Sequence, residues 1–272
     1  MKDQRDAAPA LFTEESIRGK LRHSDIPLQV YDTIDSTNTA LKRMAPEGAP
    51  EGTCLLAKEQ TAGRGRLGRS FYSPSGSGLY LSMLLRPQLL PISATHLTCA
   101  AAVAVCETIE DLTDRRPVIK WVNDIYVDGK KVCGILTEGA LNSADGTLSY
   151  AIVGIGINLL APEGGFPEEI ARTAGALDVD PGIRSALSAG IIDRLLDLYE
   201  GMPEASFLEA YRQRSFLLGQ PILVYPLAGG DIKGEPYPAT VLSILPDFSL
   251  LVRLEDGTTR AISSGEVSVR GR

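Results

Sequence analysis

The chain predicts an α+β main domain followed by a small β-barrel, and three observations carry that prediction. Residues 79–85 are apolar at almost every position, as in a strand buried on both faces, and a helix rich in small residues follows at 93–109. Two consecutive hairpin signals, Asp128-Gly129 and Asp145-Gly146, then read as an antiparallel meander. Beyond Gly219 the pattern becomes wholly short-strand, with apolar runs at 222–225, 239–244, 250–254 and 267–269.

Taken in order, residues 1–10 are polar and Pro/Ala-containing, a loose end, and Thr13-Glu14-Glu15-Ser16 opens a short helix reaching about Leu21. Residues 28–31 alternate like a strand. Asp35-Ser36-Thr37-Asn38 supplies helix-capping residue types ahead of a helix through about Met44. A Pro/Gly stretch at 46–52 leads into an apolar strand at 53–57. After an Arg/Gly segment, residues 73–78 are loop, leading into the buried strand. Downstream of the meander, 184–200 and 203–214 form two amphipathic helices, with Ile191, Leu195, Leu198 and Tyr199 on one face of the first. Asp256-Gly257 marks a third hairpin, inside a terminal barrel of about five strands. No internal repeat is visible.

At 272 residues the chain can hold one large domain and a small appendage without a metal or disulfide staple. Its net charge of −7 and pI near 5.0 argue against general nucleic-acid binding, which needs a basic face. Cys54, Cys99, Cys106 and Cys133 lie in apolar runs and form no CxxC pair, so they read as free core thiols of a reducing compartment, and a zinc site is not expected. The first thirty residues lack a signal-peptide core, and no run approaches membrane-spanning length. The expected compartment is the cytoplasm. The two histidines, His23 and His96, lie far in sequence from every candidate cluster, so no Ser/His/Asp or Cys/His nucleophile is argued.

The most informative segment is Gly63-Arg64-Gly65-Arg66-Leu67-Gly68-Arg69. Glycine permits close backbone approach, and each Arg offers a fixed fork of donors matched to phosphate or carboxylate oxygens. The bland alternative is a solvated basic turn. The spacing also fits G-x-G-x-x-G, but Pro74, Gly76 and Gly78 forbid a following helix, and Arg86 stands where an acidic ribose partner belongs. No Gly-Lys-Ser/Thr of a Walker loop occurs. The second cluster is Lys120-Trp121-Val122-Asn123-Asp124, followed by Lys130-Lys131 and Gly134; alone it reads better as ordinary turn formers and an exposed hairpin end, and Lys131 leading into Gly134, where bare backbone could accept a ligand, shifts it towards a site. The third, Gly154-Ile155-Gly156 within an apolar strand, marks either a bulge or the close approach of something flat.

Together these segments resemble the biotin protein ligase family: Asp35-Ser36-Thr37-Asn38, Glu59-Gln60-Thr61-Ala62 running into the Arg/Gly loop, Gly78-Leu79-Tyr80-Leu81-Ser82, residues 120–124, residues 131–138 and residues 154–158, in order over about 28–272. The resemblance implies a catalytic domain with a mixed, largely antiparallel sheet flanked by helices, as in class II synthetases, over 28–218. It implies an SH3-like barrel over 219–272, and leaves 1–27 as an extension. It further implies synthesis of biotinyl-5′-AMP from biotin and ATP with Mg²⁺, then transfer of biotin to a lysine of the biotin carboxyl carrier protein of acetyl-CoA carboxylase or a similar carboxylase. Carried over by position, Ser36, Thr37 and Gln60 hold the ureido end of biotin, and Asn38, Gly63 and Gly65 also belong to the biotin site. Arg64 and Arg66 hold the carboxylate and phosphates, Lys131 sits by the reacting carboxylate, and Gly134, Gly154 and Gly156 floor the biotin slot. Arg69, Phe71, Asn123 and Asn158 join Arg64, Arg66 and Lys131 at ATP. Any magnesium is expected near Asn123, and Asp124 is the candidate for steering the acceptor amine.

Three positions depart from the family pattern, which commonly has Arg at Leu67, Pro at Val122 and Trp at Phe71. A looser hold on the adenylate is expected. Residues 1–27 have room for one short helix but not a winged helix, so the expectation is a monofunctional ligase, monomer or homodimer, with no DNA or membrane partner. Competing readings are a lipoate ligase or octanoyltransferase, argued against by Gln60 with Ser36-Thr37 and by the terminal module, a binding protein without turnover, argued against by Arg64, Arg66 and Lys131, and a transcriptional regulator.

Overall fold

The computed structural model describes residues 12–87, 93–142, 146–202, 206–228, 231–232, 234–263 and 266–269. The loose end at 1–10, Asp145 of the second hairpin and the start of the 203–214 helix lie outside the described residues.

Seven strands form the main sheet: β1 (Leu28–Ile34), β2 (Cys54–Gln60), β3 (Gly78–Leu85), β4 (Val118–Lys120), β5 (Asp124–Val127), β6 (Lys130–Leu141) and β7 (Leu148–Asn158), in the order β1-β2-β3-β7-β6-β5-β4. Only β1 and β2 pair in parallel, the helix α2 (Thr37–Met44) lying in the connection between them. Every other neighbouring pair is antiparallel. The sheet is therefore mixed and largely antiparallel, as expected.

The apolar run at 79–85 is buried along all eight residues of β3 because both faces are covered. Leu79, Leu81, Met83 and Leu85 join the larger core with α3 (Ser93–Leu112) and α5 (Arg184–Glu200), while Leu84 packs with Ala40 and Leu41 of α2, Leu55 and Ile152. The small residues of α3 let α5 approach closely. A methyl on Gly190 of α5 would stand 2.6 Å from Thr108 of α3. The first helix, α1 (Glu14–Arg18), stops short of the expected Leu21; it is closed by a Thr13/Ser16 capping box and lies on α5, where Ser16 Oγ is 2.8 Å from Ser185 Oγ.

Asp128-Gly129 turns β5 into β6 with both residues at positive φ, 51° and 75°, the twist a two-residue hairpin needs. Sequence periodicity passed over β4, three residues long, and the single-turn helix α4 (Glu168–Ala171). The helix expected over 203–214 is described as α6 (Leu208–Arg214), with Tyr211 fully buried. A two-strand ladder of β9 (Leu227–Ala228) and β10 (Asp231–Ile232) lies between the strands of the second sheet in sequence. That sheet has five antiparallel strands, β8 (Pro221–Tyr225), β11 (Tyr237–Ile244), β12 (Leu250–Leu254), β13 (Thr259–Ile262) and β14 (Glu266–Val269), ordered β13-β12-β11-β8-β14. The five short strands read from the sequence are there, with one turn at Asp256-Gly257.

Candidate active site

The site forms where α2 meets the sheet at the glycines of β6 and β7. Ser36 caps α2, its hydroxyl accepting from Thr39 N at 3.4 Å. This brings Thr37 and Asn38 inward, both under 5 % exposed. Asn38 Nδ2 donates to Leu136 O at 3.3 Å and to Glu138 Oε2 at 3.0 Å, so its Oδ1 is the face that accepts from Ser82 Oγ at 2.6 Å. Thr37 Oγ1, with a single proton, stands 2.7 Å from Ser82 Oγ and 3.1 Å from Gln60 Oε1. Gln60 Oε1 in turn accepts from Thr37 N at 2.9 Å, and Gln60 Nε2 donates to Ser73 Oγ at 3.0 Å. The result is a connected row of uncharged hydrogen-bonding groups, Asn38, Ser82, Thr37 and Gln60.

The cations lie in two places. Arg64 Nη2 is 3.0 Å from Glu138 Oε1, at the Asn38 end of the row. Arg66 Nη1 donates to Asn123 Oδ1 at 2.9 Å; Asn123 is itself buried, giving its Nδ2 to Ile135 O at 2.8 Å and accepting from Ile135 N through its own carbonyl at 2.9 Å. Beside it Lys131 Nζ stands 2.6 Å from Asp124 Oδ1. Residues 173–175 brace Lys131 from outside the sheet, its N–H donating to Thr173 O and its carbonyl accepting from Gly175 N, each at 2.8 Å. Leu67, where the family commonly has Arg, takes a left-handed φ of 56° in the turn Arg66–Gly68. The Trp121–Val122 peptide, at the position of the family's Pro, is cis.

Between these groups the sheet is bare. Gly134 of β6 and Gly156 of β7 are cross-strand partners, and Gly154 faces Leu136. A Cβ on Gly154 would meet Asn38 Oδ1 at 2.0 Å, and one on Gly156 would meet the Phe71 ring at 2.6 Å. Phe71 thus lies against the glycine pair, edge-on to Tyr80 with centroids 6.4 Å apart. Burial pushes the Tyr80 hydroxyl up to about 12, so it stays a neutral donor, to Pro74 O at 3.0 Å. The Cys133 thiol, fully buried between these strands, is pushed up by burial and is no nucleophile at neutral pH.

A cavity of about 350 Å³ opens over this floor. Every residue given a site role from the sequence lines it except Gly63, which stands behind the wall: a Cβ there would meet Phe71 O at 2.4 Å and Ser73 Oγ at 2.6 Å. Asn158 is at the rim, donating to Gly175 O at 2.9 Å. Ser82 and Glu138 lie in segments that carry the family resemblance but were given no site role from the sequence, and the wall made by Phe166, Ile170 and Val267 was missed altogether. Ser82 had a signal, as the polar residue within an otherwise apolar run; Phe166 lies just before, and Ile170 within, the single-turn helix α4, which is too short to carry a period.

Comparison with known proteins places this arrangement. Residues 30–158 match the biotin/lipoate A/B protein ligase family. The chain is 37% identical over 194 residues to the bifunctional ligase/repressor BirA of Bacillus subtilis strain 168, covering 71% of this chain and 59% of that protein, so the match spans less than two thirds of that relative. It is 35% identical over 198 residues to the biotin–[acetyl-CoA-carboxylase] ligase of Paracoccus denitrificans, covering 70% of this chain and 81% of that protein. Among solved structures, the biotin protein ligase from Aquifex aeolicus in complex with biotin and ATP aligns with a TM-score of 0.72 at 30% identity, over 90% of this chain and 98% of that one. With the same segments meeting at one cavity and relatives matched over most of their length, this chain belongs to the biotin/lipoate A/B protein ligase family.

Proposed function

We propose that this protein is a biotin protein ligase, joining biotin to ATP to give biotinyl-5′-AMP and pyrophosphate and then transferring biotin to a lysine of a carboxyl carrier protein. The observation that carries the proposal is the joining of a buried, connected row of uncharged donors and acceptors to the Arg66/Lys131 pair across one glycine floor. Gly154 and Gly156 lie two residues apart on one face of a strand, about 6.6 Å. The row serves a polar ureido ring, the floor a flat bicycle, and the cations a carboxylate and phosphates.

A biotin carboxylate is ionised at neutral pH, so its attack on the α-phosphorus needs no general base. One carboxylate oxygen forms the new bond to phosphorus as the bond to the bridging oxygen breaks and pyrophosphate leaves. What limits that step is alignment and the repulsion of two anions, which Arg66 and Lys131 relieve. Both are held on adjacent residues, Asn123 at the end of the β4–β5 turn and Asp124 at the start of β5, so their charges enter a fixed frame. Arg64 serves the phosphates after leaving Glu138. In transfer, the acceptor amine attacks the acyl carbon, gives up a proton and expels AMP; the Asp124 carboxylate beside Lys131 orients that amine.

Magnesium fits as a companion of the nucleotide. Among the described residues no three metal-ligating side chains stand together, and Mg²⁺ commonly uses one or two carboxylates plus substrate phosphates. Asp124 supplies the carboxylate of the cavity lining, with the Asn123 amide oxygen beside it. When bound, the ion would neutralise charge on the departing pyrophosphate.

The charge of −7 supports a role without DNA, and four free cysteines support a cytoplasmic one. No helix among the described residues is long and apolar enough to cross a membrane. The test is the mass of an apo carrier domain after incubation with this protein, biotin, ATP and Mg²⁺, alongside Arg66→Ala and a lipoate control. One biotin-sized increment, lost in Arg66→Ala and absent with lipoate, is expected. An increment with lipoate would replace the substrate, and none at all, with ATP unconsumed, would leave a binding protein.

A further inference from the structure

The lone tryptophan of the chain is built into a seam between the two sheets. Trp121, 4 % exposed, donates its indole N–H to Phe248 O at 2.8 Å. Phe248 belongs to the β11–β12 turn, which is locked internally: Asp247 Oδ1 accepts from Ser249 N at 3.0 Å and Ser249 Oγ at 2.6 Å, and Phe248 N donates to Leu245 O at 2.9 Å. Phe248 pays for this position with a left-handed φ of 61°, unusual for a bulky residue. Its ring is fully buried between Phe207, stacked at 5.1 Å, and Tyr211 and His96, edge-on at 5.6 and 4.9 Å. Tyr211 also donates its hydroxyl to Val122 O at 3.0 Å. The backbone at 121–122 is thus gripped from two sides, one residue ahead of Asn123 and Asp124, which hold Arg66 and Lys131.

From this geometry we infer that Phe248, through Trp121, is a positioning residue for the nucleotide-handling cations, and that the second sheet is a working part of the site as well as a neighbour of it. Val267 of β14 lines the same cavity. The side chains of the biotin-facing row come from α2, β2 and β3; the row and Asn123 both lean on β6, but among the described residues no side-chain bond joins the row to Trp121 or Phe248. Loosening the seam therefore affects ATP and biotin unequally. The inference rests on the proposed function, in which Arg66 and Lys131 meet ATP.

The test uses the full chain carrying Phe248→Leu, which removes the ring, or Trp121→Phe, which removes the indole donor and part of the ring, with Arg66→Ala as the control. Each is assayed by biotin-dependent pyrophosphate release at varied ATP and varied biotin, with thermal unfolding measured in parallel. Either seam variant is expected to raise KM for ATP about tenfold while KM for biotin stays within about twofold, and Phe248→Leu should red-shift Trp121 emission. If Phe248→Leu fails to fold, Trp121→Phe carries the test alone. Equal rises in both KM values, or folded variants with unchanged KM for ATP beside an Arg66→Ala control that loses ATP use, overturn the seam while leaving the ligase reading intact. Unchanged ATP use in Arg66→Ala as well removes the nucleotide reading and the seam together.

Discussion

Alanine at position 154 places a methyl carbon 2.0 Å from Asn38 Oδ1, roughly 1.3 Å short of an ordinary contact. Gly154 lies in the middle of β7, paired with Ser82 on one side and Leu136 on the other, so the strand has little freedom to retreat. Asn38 must move, and a shift of that size breaks its 2.6 Å bond from Ser82 and its 3.0 Å bond to the Glu138 carboxylate. The first is worth about 1 kcal/mol and the second, to a charged acceptor, about 1.5–3 kcal/mol. Reduced unfolded-state entropy on Gly→Ala returns about 0.4–1 kcal/mol, leaving a net loss of about 1.5–3.5 kcal/mol. Gly156→Ala meets the Phe71 ring at 2.6 Å, and that ring can swing; Gly134→Ala meets only Lys131 and Phe71 atoms at 3.3 Å. The expected order of destabilisation is 154 over 156 over 134. Urea unfolding gives the stability and calorimetric titration the biotin affinity. Wild-type values of both in Gly154→Ala would refute the assignment of Asn38 to the row.

Asn123→Ala should cut adenylate formation about 100-fold with KM for biotin little changed, since Arg66 loses its 2.9 Å anchor while the biotin row stays intact; single-turnover pyrophosphate release measures it. Glu138→Gln should release Arg64 from its 3.0 Å ion pair and lower KM for ATP a fewfold, whereas an unchanged KM would mean Arg64 never leaves that end. Leu67→Arg should slow escape of biotinyl-AMP, read by filter binding of radiolabelled adenylate; equal rates would show that residue 67 does not face it. Hydrogen bonding to Arg43 holds the Asp35 carboxyl below its ordinary 3.8, so its contribution to stability is complete above that value and is lost as pH falls through the lower folded one; Asp35→Asn should flatten acid unfolding in that window.

Elements with strong local signals were legible in the sequence: the buried strand at 79–85, the helix of small residues after it, and the Asp128-Gly129 turn, whose chemistry requires positive φ at both positions. Short elements were not. Three residues at Val118–Lys120 are too few to establish a period, and their strand state comes from pairing with Asp124–Tyr126. The Arg/Gly loop advertised anion binding, yet the division of Arg64 to Glu138 and Arg66 to Asn123 depends on side chains 57 or more residues away, which no local pattern encodes.

Gly134 and Gly156 make the same point about register. Each alone reads as a weak place in a strand, and the bland explanation, a bulge, is equally good for both. Only when β6 and β7 pair so that the two glycines stand opposite each other does a bare patch arise, and a slip of one residue would turn Cys133 or Ile135 against Gly156 instead. That slip is opposed by the core: Cys133, Ile135, Ile155 and Ile157 are all buried in the large cluster on the helix face, so the hydrophobic alternation that folds the sheet also fixes the floor of the site. Ser82 follows from the same pairing, since its partner across the strand is Gly154 and its hydroxyl meets Asn38 over that missing side chain. The site is thus a consequence of the register that buries the core. A core substitution that let β7 slip, even one far from the cavity, should abolish biotin binding before it unfolds the protein.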